Sequence, residues 1–247
     1  MLLYYRIIIL TLVCLLSSSY LFGGLGVDIE TGYLSTGYNN VRIPGDTGTR
    51  FSLSEDLKAE QITFYRVRLN YHIGRKHTFS ALFAPLTINS DGQLSEDVHF
   101  QDVLFPAMTD LQTNYRFDSY RFTYRYRFVD RERFQLGLGI TAKLRDAEIG
   151  LESATDLAVK DNTGYVPLVN FRMNVGLKER WHFLLMGDAL AAPQGRAEDV
   201  LAALTYSPSN LMCFKLGYRI LEGGADNDEV YTFSLFNYAV VGLILQW

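Results

Sequence analysis

The sequence predicts an all-β fold, a closed antiparallel up-and-down transmembrane β-barrel of about ten strands, with eight or twelve strands as alternatives. Three observations predict it. Apolar and polar residues alternate with a period of two, short and long connections follow one another, and the overall hydropathy is balanced. Although 48 % of the residues are hydrophobic, the mean hydropathy is only +0.02. Helical spans would raise that mean, whereas strands with one lipid-facing side keep it near zero.

The N-terminal residues predict a secretory signal peptide at residues 1–19, with cleavage between residues 19 and 24. Arg6 carries a positive charge, residues 7–16 are largely apolar, and three serines follow. An apolar run of about ten residues is too short for the roughly 20 that a membrane-spanning helix needs. The remaining residues, 20–247, are predicted to form the barrel domain.

Ten strands are predicted from the alternation, which is clearest in the fourth. There Arg121 stands between Tyr120 and Phe122, and the pattern continues to residue 128. A slip of one residue would turn the arginines to the apolar side, so the register is strongly specified. The alternation is weakest in the seventh and eighth strands. The predicted strands span residues 26–38, 60–73, 78–88, 112–128, 134–145, 164–177, 181–190, 199–206, 211–221 and 230–247.

The connections between these strands alternate in length. Short turns are predicted at residues 74–77, 129–133, 178–180 and 207–210. Longer acidic segments are predicted at residues 39–57, 89–111, 147–162, 191–198 and 222–229. This asymmetry is typical of a transmembrane barrel with long loops outside the cell and short turns in the periplasm.

The last predicted strand carries an apolar stripe that ends on an aromatic residue. Val241, Leu243, Leu245 and Trp247 occupy alternate positions. The stripe resembles the C-terminal recognition signal of Gram-negative outer-membrane barrels, and the whole chain resembles small barrels of the OmpA, opacity-protein and omptin types, although no motif of one subfamily matches. The resemblance implies export through the inner membrane, a place in the bacterial outer membrane, contact with its lipid and lipopolysaccharide, and assembly by the barrel-assembly machinery.

A soluble, lipocalin-like barrel is the main alternative fold. It would show the same alternation, but its apolar side would face inward around a ligand and its arginines would face water. The terminal aromatic residue, the unequal connections, the strand lengths and the aromatic residues near the strand ends favour the membrane.

If the apolar side faces lipid, the opposite side lines the interior. Four acidic residues are predicted there: Asp28, Glu30, Glu60 and Asp188. Ten basic residues share that side: Arg66, Arg68, Arg121, Arg125, Arg127, Lys143, Arg145, Arg172, Lys215 and Arg219. A barrel of this size usually has a packed interior. Since four acids cannot neutralise ten cations, water, inward-folded loops or bound anions must compensate the remainder.

The sequence therefore favours a structural role or a narrow, anion-biased pore, and not an enzyme. Two other classes remain: an outer-rim enzyme acting on lipid or peptide, and an adhesin or binding protein acting through its loops. An enzyme would have to use His99, the one histidine in a long connection, with Ser95, Asp97 or Asp102 within reach of it. The sequence predicts no catalytic residue, cofactor or metal. It also predicts no nucleic-acid partner, because the basic residues are expected inside the barrel.

Overall fold

The computed structural model describes residues 24–193 and 195–247, and the predicted signal peptide lies outside them. Every secondary-structure element in these residues is a β-strand. No helix in them is long and apolar enough to cross a membrane. The ten long strands are β1 (Gly24–Arg42), β2 (Ile62–Ile73), β3 (His77–Ala84, continued by Thr87–Gln93), β4 (Asp110–Arg131), β5 (Phe134–Glu152), β6 (Leu157–Lys178), β7 (Trp181–Ala192), β8 (Gly195–Tyr206), β9 (Met212–Asp226) and β10 (Tyr231–Gln246).

Each long strand pairs antiparallel with the next, and β10 returns to pair with β1. The closing ladder runs from Gly26 opposite Gln246 to Arg42 opposite Tyr231. The prediction of a closed up-and-down barrel with ten strands is therefore confirmed, including its seventh and eighth strands. The end with the short turns, such as the turn between β2 and β3, is called the turn end below, and the opposite end is the loop end.

Three of the five predicted long connections are wrong, because the strands continue through most of them. β5 and β6 stay paired as far as Glu152 opposite Leu157, and β9 and β10 as far as Asp226 opposite Tyr231. β7 and β8 likewise continue through most of the predicted connection 191–198. The outward positions of β5, β8 and β9 in these stretches are polar or glycine. The apolar alternation therefore ends there, while the backbone hydrogen bonds, which need no apolar side chain, continue.

The predicted third strand is interrupted at Pro85. Proline has no N–H to donate to a ladder. The N–H of the next residue, Leu86, donates to the carboxylate of Asp118 at 3.1 Å, and the Leu86 carbonyl accepts from Phe117 N at 2.7 Å. Both hydrogen bonds tie the short break to β4, and β3 resumes at Thr87.

The outward side of the strands forms an apolar belt. Tyr65, Phe122, Ile140 and Leu216 are 53 %, 58 %, 69 % and 64 % exposed, whereas Arg121, next to Phe122 in sequence, is only 4 % exposed. Tyrosines mark the loop-end side of the belt at Tyr33, Tyr65, Tyr120, Tyr165 and Tyr218, and the stripe on β10 also faces outward, with Val241 47 % exposed. The predicted direction of the two sides is confirmed. The lipocalin alternative, which required an inward apolar side, is wrong.

A matched pair of substitutions tests the position of this belt. Ile140→Arg places a charge on the belt, and Val159→Arg places one on the same outward side of the neighbouring strand, nearer the loop end; both side chains are exposed. We expect Ile140→Arg to cost about 2–4 kcal/mol in unfolding from lipid vesicles, and Val159→Arg about 0–1 kcal/mol. Equal costs for the two variants would mean that the lipid-facing region is misplaced.

The interior at the loop end is an apolar core. Inward side chains of the strands, among them Leu34 and Phe64, pack there with side chains from residues 43–61 and 94–109, which are called the cap below. The cap has short ladders of its own: Phe51–Ser52 pairs with β1, Lys58–Ala59 pairs with β3, and Val98–Phe100 pairs with Val103–Phe105. The cap therefore closes the loop end with buried apolar side chains.

Candidate functional site

Four carboxylates and four basic side chains form one network in the middle of the interior. The strands place them there because each occupies an inward position, and all eight are at most 4 % exposed. The carboxylates are Asp28 and Glu30 on β1, Asp188 on β7 and Asp199 on β8; the basic side chains are Arg66 on β2, Arg121 on β4, and Lys215 and Arg219 on β9.

The β1 carboxylates bind the two basic side chains of β9. Lys215 Nζ donates to Asp28 Oδ1 and to Glu30 Oε1, both at 2.6 Å. Arg219 Nη2 donates to both oxygens of Glu30, at 2.9 and 2.7 Å. Charge-assisted hydrogen bonds of this kind are among the stronger ones in proteins. They join the two strands across β10, which lies between them.

Asp199 is the centre of the network, and the sequence interpretation missed it. Its carboxylate accepts from Arg66 at 2.8 Å and from Arg219, and Arg121 Nη2 lies 2.7 Å from its Oδ2. Arg121 also donates to Asp188 at 2.8 Å. The eighth strand gave no clear signal because Leu201 and Ala203 inside, and Ala202 and Leu204 outside, are all apolar. Two of its inward positions, Asp199 and Thr205, were the polar signal that could have identified the side.

Glu60 was predicted to face the interior, and this prediction is wrong. Glu60 is exposed and precedes β2, whose ladder with β1 ends at Ile62 opposite Leu34. Its Oε1 accepts from the backbone N–H and the side-chain amide of Asn89, at 3.0 and 2.9 Å. The strand alternation was extended two residues beyond the last pair that fixes it.

Six of the ten predicted basic residues lie outside the network. Lys143 is buried, with its ammonium 4.6 Å from the ring centre of Phe117. Arg127 is near the turn end and binds Asp130 at 3.2 Å, and Arg145 is a half-buried residue that donates to Asn162. The other three are Arg68, Arg125 and Arg172, for which no carboxylate lies within 4 Å in the described part of the chain.

Side chains fill the interior in its middle and at its loop end. The network occupies the middle, the apolar core of the strands and the cap occupies the loop end, and the side chains of both are almost wholly buried. The four acids and four bases of the network neutralise one another, so the network carries no net charge, and the other six predicted basic residues lie outside it. The positive charge that remains lies mainly toward the turn end.

The loop-end part of the chain is strongly acidic. The loop-end portion, defined as residues 39–61, 87–118, 146–162, 190–198 and 222–230, contains 20 acidic and 6 basic residues, a net charge of −14. The turns at the other end carry six basic and three acidic residues: Arg75, Lys76, Arg131, Arg133, Lys178 and Arg180 against Asp130, Glu132 and Glu179. The two ends of the barrel therefore differ in the sign of their charge.

One outward cluster shows how a carboxylate is held in the loop-end portion. Arg196 donates to both oxygens of Glu222, at 2.8–3.1 Å, and Tyr38 Oη donates to the same carboxylate at 2.5 Å. Partial burial alone would raise the pKa of Glu222, but the hydrogen bonds from Arg196 and Tyr38 outweigh it and lower the pKa. Partial burial and the bond to Glu222 both raise the pKa of Tyr38.

The residues considered for an outer-rim enzyme are not brought together. His99 lies on the short ladder Val98–Phe100, and its backbone N–H donates to Thr49 Oγ1 at 3.0 Å. In the described residues its ring has no hydrogen bond with Ser95, Asp97 or Asp102; the Asp97 carboxylate accepts from Ala107 N instead. A base must be within hydrogen-bond reach of the group that it activates.

No family model and no curated protein matches the chain. Among solved structures, the outer membrane protease OmpT from Escherichia coli is similar with a TM-score of 0.61 and 9 % identity, over 91 % of this chain and 97 % of that one. Ail, the attachment invasion locus protein of Yersinia pestis, gives a TM-score of 0.40 at 10 % identity, over 90 % and 99 % of the two chains. The likeness to OmpT confirms the fold of a small outer-membrane β-barrel.

Proposed function

We propose that the chain is an integral protein of a Gram-negative outer membrane that binds cationic ligands through its loop-end portion. The observation that carries the proposal is the net charge of −14 on that portion, held by continued strands and a packed cap. An ordered surface with one sign of charge attracts ligands of the opposite sign and raises their rate of encounter. The ligand class is a basic peptide or a basic protein surface.

The proposal differs from the pore and enzyme hypotheses. A conducting path would have to cross both the ion-pair network and the apolar core, and each is filled by buried side chains. An enzyme would need a base in contact with its nucleophile, and His99 lacks that contact in the described residues. Both considerations favour a binding role without catalysis.

The membrane placement belongs to the same proposal. The belt would contact outer-membrane lipid and lipopolysaccharide, and the signal peptide at residues 1–19 would direct export. The barrel-assembly machinery would read the apolar stripe of β10. In this orientation the acidic loop-end portion lies outside the cell and the basic turns lie in the periplasm.

Binding of a fluorescent nine-arginine peptide to the barrel in phosphatidylcholine nanodiscs tests the proposal. We expect saturable binding whose Kd rises roughly tenfold between 0.1 and 1 M salt, because the Debye length falls from about 10 to about 3 Å. A nine-glutamate peptide should not bind. Zwitterionic lipid is used so that the membrane itself does not attract the peptide.

A pair of variants identifies the binding end. Asp226→Asn, Asp228→Asn and Glu229→Gln together remove three charges from the turn between β9 and β10 and should weaken binding severalfold. Glu132→Gln with Glu179→Gln removes charges from the turn end and should leave the Kd unchanged. Equal effects of the two variants, or equal binding of both peptides, would contradict the proposal.

A further inference from the structure

Three arginines in the turn-end half of the interior lack an acidic partner among the residues that the structure describes. Arg68 and Arg125 are 6 % and 7 % exposed, and Arg172 is half-buried. Arg68 Nη1 is buried without any hydrogen-bond partner in the described part of the chain. The guanidinium stays charged at any pH that a folded protein meets, so these groups cannot escape the cost of burial by losing a proton.

The contacts that these arginines do make are weak. Arg125 Nη1 reaches Asn170 Oδ1 at 3.4 Å, at the limit of a hydrogen bond, and within residues 24–193 and 195–247 Arg172 Nη1 reaches only the sulfur of Met186, at 3.7 Å. Neither acceptor carries a charge. By contrast, the arginines of the ion-pair network reach carboxylate oxygens at 2.7–2.9 Å.

The strands bring Arg125 and Arg172 to one place. Arg125 on β4 stands opposite Gly139, and Arg172 on β6 stands opposite Gly137, the next inward position of β5. Gly137 leaves room for the Arg125 side chain, since a Cβ at that position would lie 3.2 Å from the Cγ and Cδ of Arg125.

A small cavity opens beside Arg125 and Arg172, and Arg68 is not among its lining residues. Its volume is about 20 Å³, and its lining includes Thr78, Arg125, Arg127, Gln135, Arg172 and Asn174. This lining offers guanidinium, amide and hydroxyl donors, and it contains no carboxylate. A space of this size accommodates one or two water-sized groups.

We propose that this cavity binds one small inorganic anion of the size of chloride. Converging hydrogen-bond donors, a surplus of fixed positive charge and a space too small for a phosphate ester together define the ligand class. The ion-pair network separates the cavity from the loop end, so the anion occupies a site and not a path. This inference does not depend on the ligand of the loop-end portion.

Unfolding of the full barrel in lipid vesicles, in sodium chloride and in sodium gluconate at equal ionic strength, tests the site. Gluconate is too large to enter the cavity. A site with a Kd of about 1 mM would favour the folded barrel about 100-fold at 0.1 M chloride. We expect that difference for the wild type, and we expect crystals grown in sodium bromide to show anomalous scattering in the cavity.

Two variants separate binding from a general effect of chloride. Arg172→Met should reduce the chloride effect to less than about twofold, and in gluconate it should be at least as stable as the wild type because it removes an unpaired charge. Arg125→Gln, which keeps a polar side chain, should also lose the chloride effect, and it replaces Arg172→Met if that variant does not fold. Lys143→Met removes a buried cation that is not part of the cavity lining and should keep the 100-fold effect.

Several results would overturn the proposal. They are equal unfolding of the wild type in chloride and gluconate, an unchanged chloride effect in Arg172→Met and Arg125→Gln, bromide bound only elsewhere, or stabilisation by inorganic phosphate without any by chloride.

Discussion

Asp199→Asn is expected to destabilise the folded barrel by about 3–5 kcal/mol. The Asp199 carboxylate is 2 % exposed and is the common acceptor for Arg66, Arg121 and Arg219. Asparagine keeps the shape of the side chain but removes the negative charge that all three guanidinium groups share. The loss is large because the arginines stay charged and buried after their partner is neutralised. Urea unfolding from lipid vesicles measures the change.

Asp130→Asn is the matched control for this substitution. Asp130 also accepts from two arginines, Arg75 at 3.1 Å and Arg127 at 3.2 Å, but the Arg75 side chain is 83 % exposed. Ion pairs in contact with water contribute about 0–1 kcal/mol. If Asp199→Asn cost no more than Asp130→Asn, water would have to reach the network, and the interior would be open where the structure shows it filled.

The architecture could be predicted because the two sides of each strand in a barrel wall meet different surroundings, which produces the alternation of apolar and polar residues. Lipid-facing Phe122 and Ile140 and inward Arg121 and Lys143 differ so strongly in polarity that each strand could be assigned two sides from its own residues. The strand count and the direction of both sides followed. The same reasoning could not locate the strand ends, since beyond the belt both sides meet water or the cap and polarity no longer distinguishes them.

The pairing inside the barrel could not be predicted. Arg121 and Arg125 occupy equivalent positions of one strand, yet Arg121 binds two carboxylates and Arg125 binds none within the described residues. Which of the two arginines meets an acid depends on the side chains of β7 and β8, across the interior. Alternation within β4 carries no information about the distance from β4 to those side chains. The same limit concealed Asp199, whose strand has apolar residues on both sides.

The cap illustrates a third limit. Residues 94–109 show no long alternation, and the sequence interpretation placed them in the long acidic connection 89–111. In the structure Phe100 and Phe105 are 0 % and 1 % exposed and belong to the apolar core, while the acidic residues around them face water. A few apolar residues among many charged ones are enough to hold a loop against the barrel, provided that the strands leave an apolar surface beneath it.

Phe100→Ala is expected to release the cap and leave the barrel folded. The Phe100 ring is fully buried and meets Phe51, on the other cap segment, edge to face with ring centres 6.3 Å apart. Removing a buried phenylalanine costs about 3–5 kcal/mol, and the cap has only short ladders of its own to resist that loss. Limited proteolysis should cut residues 94–109 at least tenfold faster, while resistance of the barrel to unfolding by heat stays close to that of the wild type.

Leu104→Ala on the same hairpin removes a side chain that is 56 % exposed, and should change neither the rate of proteolysis nor the resistance to heat. If Phe100→Ala unfolded the barrel together with the cap, the two would form one cooperative unit, and the loop-end surface could not be altered independently of the wall that carries it.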